Sequence, residues 1–187
     1  YFPDVRILPN GNLEMFFHVS RKTRGKWKGT ISYATSDKNS NWSAHSNLKS
    51  NTNFLAGFQH IQAPRIVEFC DKTLLYFCAR KEIKAPFFAF VMSKSTSGEF
   101  SDPRPLLFDF KNQVEDFCFY RSNNTLRMYF CYKKNIHSAV SENGLSWKME
   151  DGARIQRGQP GMTARVDNPS IVEAKDGLLR LYYRGAE

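Results

Sequence analysis

Apolar and polar positions recur along the chain in the same order four times. Each time an apolar run is followed by a short polar turn and a second apolar run, as in NPSIVEA followed by LRLYY. The second runs are LEMFF, TLLYF, LRMYF and LRLYY, which begin at residues 13, 73, 126 and 179, at intervals of 60, 53 and 53 residues. The turn pairs before them are Asn10-Gly11, Asp71-Lys72, Asn123-Asn124 and Asp176-Gly177. Asn-Gly and Asp-Gly tolerate the positive φ values of a tight turn, so the pattern predicts four β-hairpins.

The first three units continue into a third apolar run and another polar turn, at residues 31–43, 88–101 and 136–148. Ser, Asp and Asn at such turns hydrogen-bond the turn backbone, and the closing Trp or Phe covers the end of the hairpin, so we interpret these turns as structural. An antiparallel unit of about 50 residues that repeats at a regular period is typical of propeller blades around a central channel. We therefore predict an all-β fold of the propeller type, with blade-like units at 2–48, 62–108, 114–157 and 164–187.

The length of 187 residues suits one domain with a sizeable core, so we predict a single propeller domain over residues 1–187. It would hold three blades and the first hairpin of a fourth, and we expect further residues or a partner to complete it. The 16 Phe and 8 Tyr favour strands. No apolar run approaches the roughly 20 residues that a membrane helix needs, so we expect no membrane span.

The chain carries a formal charge of +9, which would attract nucleic acid, an anionic membrane surface or an acidic polysaccharide. Five cations lie in RKTRGKWK, residues 21–28, which we predict to be a long loop between two strands. Arg24, Lys26, Trp27 and Lys28 of this stretch are candidate ligand-binding residues, although a solvated loop explains the charges equally well. The chain lacks the common nucleic-acid-binding motifs, which argues against sequence-specific binding.

The remaining reactive residue types show no recognisable catalytic or metal-binding spacing. The four cysteines, Cys70, Cys78, Cys118 and Cys131, lie in apolar runs without a CxxC pair, which favours buried thiols over a zinc site and leaves disulfides open. The histidines are scattered, so we predict no metal site, and no nucleotide-binding or dinucleotide-binding motif indicates a cofactor.

Several phrases of the sequence together resemble those of one group of sugar-acting enzymes. These phrases are the Ala-x-Ser-x-x-Gly-x-x-Trp-like turns, APRIV with LLYF, and DNPSIV with DGLLRLYY. They resemble the five-bladed propellers of glycoside hydrolase family 43 and its clan relatives, the invertase and levansucrase group. The resemblance implies a five-bladed propeller whose catalytic carboxyls lie on the innermost strands of successive blades.

The resemblance implies a role for one position in each blade. Asp116 falls at the family's third-blade Asp, which tunes acidity. Asp167 falls at the fourth-blade acid, where the family has Glu, and Asp4 is the counterpart of the first-blade base, although it follows Pro3 where the family's Asp precedes a proline. Three neighbouring residues would then be ligand-binding: Gln62, Glu115 and Asn168. An inverting glycosidase needs its two carboxyls roughly 6.5–9.5 Å apart, and Asp in place of Glu shortens the reach of the acid by one methylene.

These departures leave three hypotheses for the function. The first is a non-catalytic, glycosidase-like propeller that binds glycan or a partner protein in an exported, periplasmic or cell-surface assembly. The second is an active glycoside hydrolase that uses Asp116, Asp167 and Asp4. The third is a basic protein that binds nucleic acid or another acidic polymer.

Overall fold

The apolar runs of the sequence form the strands of four sheets. The computed structural model describes residues 3–23, 26–39, 41–48, 55, 57–82, 84–109, 113–158, 160 and 162–187. The chain divides into two compact units, Tyr1–Glu68 with Lys72–Pro105, and Phe69–Asp71 with Leu106–Glu187, which we call unit 1 and unit 2.

Unit 1 contains two four-stranded sheets in which each strand pairs with the next along the chain. The first sheet is formed by β1 (Asp4–Ile7), β2 (Leu13–Thr23), β3 (Lys26–Ser36) and β4 (Trp42–Asn47). The second sheet is formed by β5 (His60–Phe69), β6 (Lys72–Arg80), β7 (Phe88–Lys94) and β8 (Arg104–Pro105).

Unit 2 contains a five-stranded sheet and a hairpin. The sheet has the order β10-β11-β12-β13-β9, in which the edge strand β9 pairs parallel with β13. Its strands are β9 (Leu107–Phe108), β10 (Glu115–Ser122), β11 (Thr125–Tyr132), β12 (Asn135–Ser141) and β13 (Ser146–Met149). The hairpin is formed by β14 (Arg165–Glu173) and β15 (Leu179–Ala186). The predicted all-β class is confirmed, with three sheets followed by the first hairpin of a fourth.

The middle strands carry the cores of both units. Every side chain from Leu74 to Ala79 of β6 is fully buried, so this strand is covered on both faces, as a continuous apolar run predicts. In unit 1, Phe16 packs edge-on against Phe100 in the main apolar cluster. In unit 2, Ile136 and Val166 belong to a smaller cluster. The cysteines are free thiols, of which Cys78, Cys118 and Cys131 are buried and Cys70 is exposed.

The polar turn after β12 shows why its residue types recur. Ser141 Oγ accepts a hydrogen bond from Gly144 N, and Asn143 Oδ1 accepts bonds from the backbone N–H groups of Leu145 and Ser146. Trp147 is buried behind them. This turn therefore has the structural role that its sequence predicts.

The basic stretch differs from the sequence-based prediction of a long loop. Strand β2 extends to Thr23 and β3 begins at Lys26, so that Arg21 pairs with Lys28 and Thr23 pairs with Lys26. Backbone pairing of the two strands continues through the charged residues, and the exposed side chains of Arg21, Lys22 and Lys28 reach solvent without leaving the sheet. Lys28 is exposed, whereas Arg24 lies outside the described residues and only the strand positions of Lys26 and Trp27 are described.

A buried ion-pair network joins the two sheets of unit 1. Glu14 on β2 is only 4% exposed. Its carboxylate accepts bonds from Arg6 of β1 (2.7 Å from Nε) and from Lys94 of β7 (2.9 Å). Arg6 also pairs with Glu68 of β5. Removing one partner of such a network leaves the others desolvated and unpaired, which costs more than the intact pair contributes.

We expect Glu14→Gln to lower the free energy of unfolding by about 2 kcal/mol, less than for a fully buried pair because Arg6 and Lys94 are partly exposed. Chemical denaturation measures the change. The control is Glu99→Gln, at an exposed position, which we expect to change stability by no more than about 0.5 kcal/mol. Equal, small effects of the two substitutions would show that the network does not stabilise the unit.

Candidate functional site

A residue in the left-handed conformation lies near the start of three strands. These residues are Ala63 on β5 (φ 53°), Asp116 on β10 (φ 47°) and Asn168 on β14 (φ 50°). In β10 and β14 the residue belongs to a β-bulge, where the pairing register shifts by one. Asp and Asn tolerate this conformation better than most residues, and a bulge re-aims the neighbouring side chains. Glu115 on β10 and Asp167 on β14 directly precede the left-handed residue of their bulge. They therefore occupy corresponding positions in the two strands.

Asp167 is held by two arginines of the last hairpin. Its carboxylate is 0% exposed. Arg184 of β15, directly opposite in the pairing register, binds it through two parallel bonds, Nε to Oδ1 and Nη2 to Oδ2, both 2.7 Å long. Arg165 Nε lies 2.5 Å from Oδ2, and Asn168 Nδ2 donates to Oδ1 at 3.2 Å. Both carboxylate oxygens are thus occupied by donors from the protein itself.

Asp116 lies in the same cluster but in a different environment. It is 8% exposed, and no described residue donates a hydrogen bond to its carboxylate. Burial raises the pKa of Asp116 to about 6, and the negative charges of Glu115 and Asp167 act in the same direction, whereas Arg165 and Arg184 oppose them. A carboxyl with such a pKa can exchange a proton near neutral pH, which is a common property of functional sites.

Two further residues complete the cluster in unit 2, and a cysteine thiol lies beside it. The side chain of Glu115 is 40% exposed, and its Oε2 lies 3.6 Å from Arg165 Nη2. Asn168 Oδ1 is buried and has no hydrogen-bond partner among the described residues. The Cys131 thiol donates to Val166 O, and burial raises its pKa to about 11, so it remains a neutral thiol. We refer to Glu115, Asp116, Arg165, Asp167, Asn168 and Arg184 as the carboxylate–arginine cluster.

Asp4 and Gln62 lie in unit 1 and have partners there. Asp4 Oδ2 accepts a 2.6 Å hydrogen bond from the backbone N–H of Ile66 on β5. Burial raises the pKa of Asp4, while the Ile66 N–H and nearby Arg65 lower it. The Gln62 side chain hydrogen-bonds His60, whose pKa is lowered by burial and by Arg80. Asp4 therefore braces a strand in this unit, and its predicted role as a base stays a prediction.

The structure gathers four predicted site residues and adds two that sequence reasoning missed. Asp116, Asp167, Glu115 and Asn168 belong to one cluster in unit 2. The arginines were missed because only the pairing of β14 with β15 brings Arg184 opposite Asp167. Counting back along the predicted hairpin from its Asp176-Gly177 turn would have placed Asn168, not Asp167, opposite Arg184, because the bulge shifts the register by one.

Within the residues that the structure describes, no group of three or more His, Cys, Asp or Glu side chains could hold a metal ion. No helix in that part of the chain is long and apolar enough to cross a membrane.

Solved structures of glycoside-processing enzymes share this fold. An α-L-arabinofuranosidase from Lactobacillus brevis matches 97% of the chain with a TM-score of 0.73 and 14% identity, over 63% of its own length. A family 117 glycoside hydrolase from the marine bacterium Zobellia galactanivorans matches 97% with a TM-score of 0.67 and 16% identity, over 65% of its length. The fold is that of the propeller glycosidases.

A third neighbour is a structure described with the GH130 family of mannoside phosphorylases, which contains glycoside hydrolases that target β-1,2 mannosidic linkages in Candida mannan. It matches the whole chain with a TM-score of 0.71 and 13% identity, over 62% of its own length. The chain thus spans about three fifths of the length of these propeller glycosidases. No family profile and no curated protein matches it. The propeller type is therefore confirmed, while five blades and family 43 stay predictions.

The histidine pair of unit 1 predicts a pH-dependent stability. Burial, together with neighbouring His60, lowers the pKa of His18 to about 4, and the two rings lie 4.9 Å apart. The folded state therefore favours the neutral form of His18. The contribution of His18 to the free energy of unfolding is complete above pH 6.5, the ordinary pKa of histidine. This contribution is lost as the pH falls from 6.5 toward 4.

We expect the free energy of unfolding of the wild type to fall by roughly 2 kcal/mol more than that of His18→Gln between pH 7.5 and 4.5. Urea denaturation of both proteins at the two pH values measures this difference. Parallel pH profiles would exclude His18 as the source.

Proposed function

We propose that this chain is a glycan-binding, non-hydrolysing propeller of the glycosidase type, whose carboxylate–arginine cluster contacts the sugar. The observation that carries the proposal is the double engagement of Asp167, the counterpart of the catalytic acid. A general acid must hold a proton and reach the glycosidic oxygen. Asp167 is fully buried, and both of its oxygens accept bonds from guanidinium groups.

The first-blade counterpart supports the same conclusion. Asp4 Oδ2 is bound to the backbone of β5 at 2.6 Å, which leaves that oxygen unsuited to activate a water molecule. Hydrolysis with inversion requires a base as well as an acid, so engagement of both groups favours binding over cleavage.

The groups of the cluster that still reach solvent match the chemistry of sugar hydroxyls. The side chains of Glu115, Arg165 and Arg184 are 40%, 37% and 60% exposed. A carboxylate accepts hydrogen bonds from hydroxyl groups, and a guanidinium donates to them, so adjacent groups of both kinds can recognise vicinal hydroxyls.

The structural neighbours suggest which sugars to test first. Their descriptions name an arabinofuranosidase, an endo-arabinase and enzymes of β-1,2 mannosidic linkages. By analogy, we propose arabinose-containing or mannose-containing glycans as ligands, and an exported or cell-surface setting in which a partner protein shares the assembly.

Asp116 supports a second candidate function, an active glycoside hydrolase. Its buried carboxyl, with a pKa of about 6, is suited to donate a proton near neutral pH, as a general acid does. Glu115 would then be the second carboxyl. Turnover of a glycoside distinguishes this candidate from the binding protein.

We expect arabino-oligosaccharides or β-1,2-mannobiose to bind the protein in calorimetric titration, and Glu115→Gln to weaken that binding about tenfold, because a charged carboxylate with two acceptor oxygens becomes a neutral amide with one. The control is Glu142→Gln, an exposed glutamate of the same unit, which should leave affinity unchanged.

The same samples are assayed with aryl arabinofuranosides and aryl mannosides, for which we expect no turnover. Turnover that disappears in Asp116→Asn would replace the binding proposal with the hydrolase.

A further inference from the structure

We propose that Arg184 is a positioning residue whose grip on Asp167 makes Asp116, rather than Asp167, the proton-carrying carboxyl of the carboxylate–arginine cluster. This assignment reverses the roles that the resemblance to family 43 implies for the two positions. It rests on the proposed function only in its last step, where the Asp116 proton is donated to a sugar oxygen.

The first step is the difference in hydrogen bonding between the two carboxyls. Asp167 accepts a 2.7 Å hydrogen bond on each oxygen from Arg184 and a 3.2 Å bond from the Asn168 amide, and Arg165 Nε forms an ion pair with Oδ2 at 2.5 Å. An ionised carboxylate accepts all of these contacts. A protonated carboxyl would turn its O–H toward a cationic donor. The contacts with the two arginines therefore favour the charged form of Asp167.

The second step is the setting of Asp116. The bulge holds this residue at φ 47° and buries its carboxyl beside Glu115 of its own strand, and no described residue donates to it. The charges that act on it come from Glu115 on β10, Arg165 and Asp167 on β14, and Arg184 on β15. The neighbouring Cys131 thiol on β11 is neutral. Buried carboxyls that lie together do not all ionise readily, so the proton goes to the one without donors.

The third step links the arginine to the proton. The Asp167 carboxylate raises the pKa of Asp116, and the Arg184 guanidinium lowers it. Arg184 therefore acts on Asp116 in two ways: it holds the negative charge of Asp167 in place, and it partly neutralises that charge. Loss of the Asp167 charge should consequently lower the Asp116 pKa, whereas loss of Arg184 should let Asp167 compete with Asp116 for the proton.

The direct test follows the carboxyl carbons of Asp116 and Asp167 by NMR in the ligand-free protein from pH 4 to 8. In the wild type we expect Asp116 to titrate near pH 6. Asp167→Asn should lower that midpoint by about one pH unit, because a neighbouring negative charge is lost. In Arg184→Gln the released Asp167 carboxyl should take up a proton within the same pH range, because its donors are gone.

Two further variants keep the test decisive. Arg180→Gln removes an exposed arginine of the same strand that pairs with Asp176, and it should leave the Asp116 midpoint unchanged. If Arg184→Gln does not fold, Arg184→Lys retains the charge but loses the bidentate geometry, and it should still let Asp167 take up a proton in this pH range. A midpoint near 6 for Asp167 instead of Asp116 in the wild type, or an Asp167 titration that ignores the Arg184 substitutions, would overturn the inference.

Sugar binding supplies the last readout. If Asp116 donates to the sugar, wild-type affinity for arabino-oligosaccharides should be about fivefold higher at pH 5 than at pH 7.5, and Asp116→Asn should abolish this dependence. A titration that responds to Arg184 in a protein that binds no sugar would sustain this inference and refute the proposed function. Sugar binding together with an Asp167 titration that is indifferent to Arg184 would do the reverse.

Discussion

Alternate side chains of a β-strand point to opposite faces, and only an inserted residue can change that order within one strand. In this protein the insertion is a residue in the left-handed conformation, Asp116 in β10 and Asn168 in β14. It lets Glu115 and Asp167 take corresponding positions while the rest of each strand keeps its apolar face on the core. The polar cluster exists because the backbone accepts this local strain.

Because Asp167 is buried, its carboxylate needs hydrogen-bond donors from the protein in place of water. A carboxylate without contact to water is stable only when donors replace the lost hydration, and the Asp167 carboxylate has two guanidinium groups for this purpose. The same solution appears in unit 1, where Glu14 is held by Arg6 and Lys94. Part of the excess of basic residues is therefore used inside the protein, where it neutralises buried acids, and the formal charge overstates what is available to an external anion.

The hairpins could be predicted from the sequence because their causes are local. Pairs such as Asn10-Gly11 and Asp176-Gly177 define a turn within a few residues, and the apolar runs on either side need no other information. The hydrogen bonds between Arg184 and Asp167 could not be predicted in this way. The two residues lie 17 positions apart in the sequence, and only the register in which β14 pairs with β15 brings them together. The basic stretch was wrongly predicted to be a loop. Its charges indicate only that the side chains are exposed, and an exposed hairpin satisfies this requirement as well as a loop does.

The hydrogen bond between Asp4 and the N–H of Ile66 has a consequence for association between molecules. Strand β5 lies at the edge of its sheet, and the outward N–H groups of an edge strand are the points at which a foreign strand can add. A carboxylate placed on one of them, at 2.6 Å, occupies the donor and sets a negative charge where an approaching carbonyl would have to bind. Asp4 thus shields this edge against the intermolecular pairing that leads to aggregation.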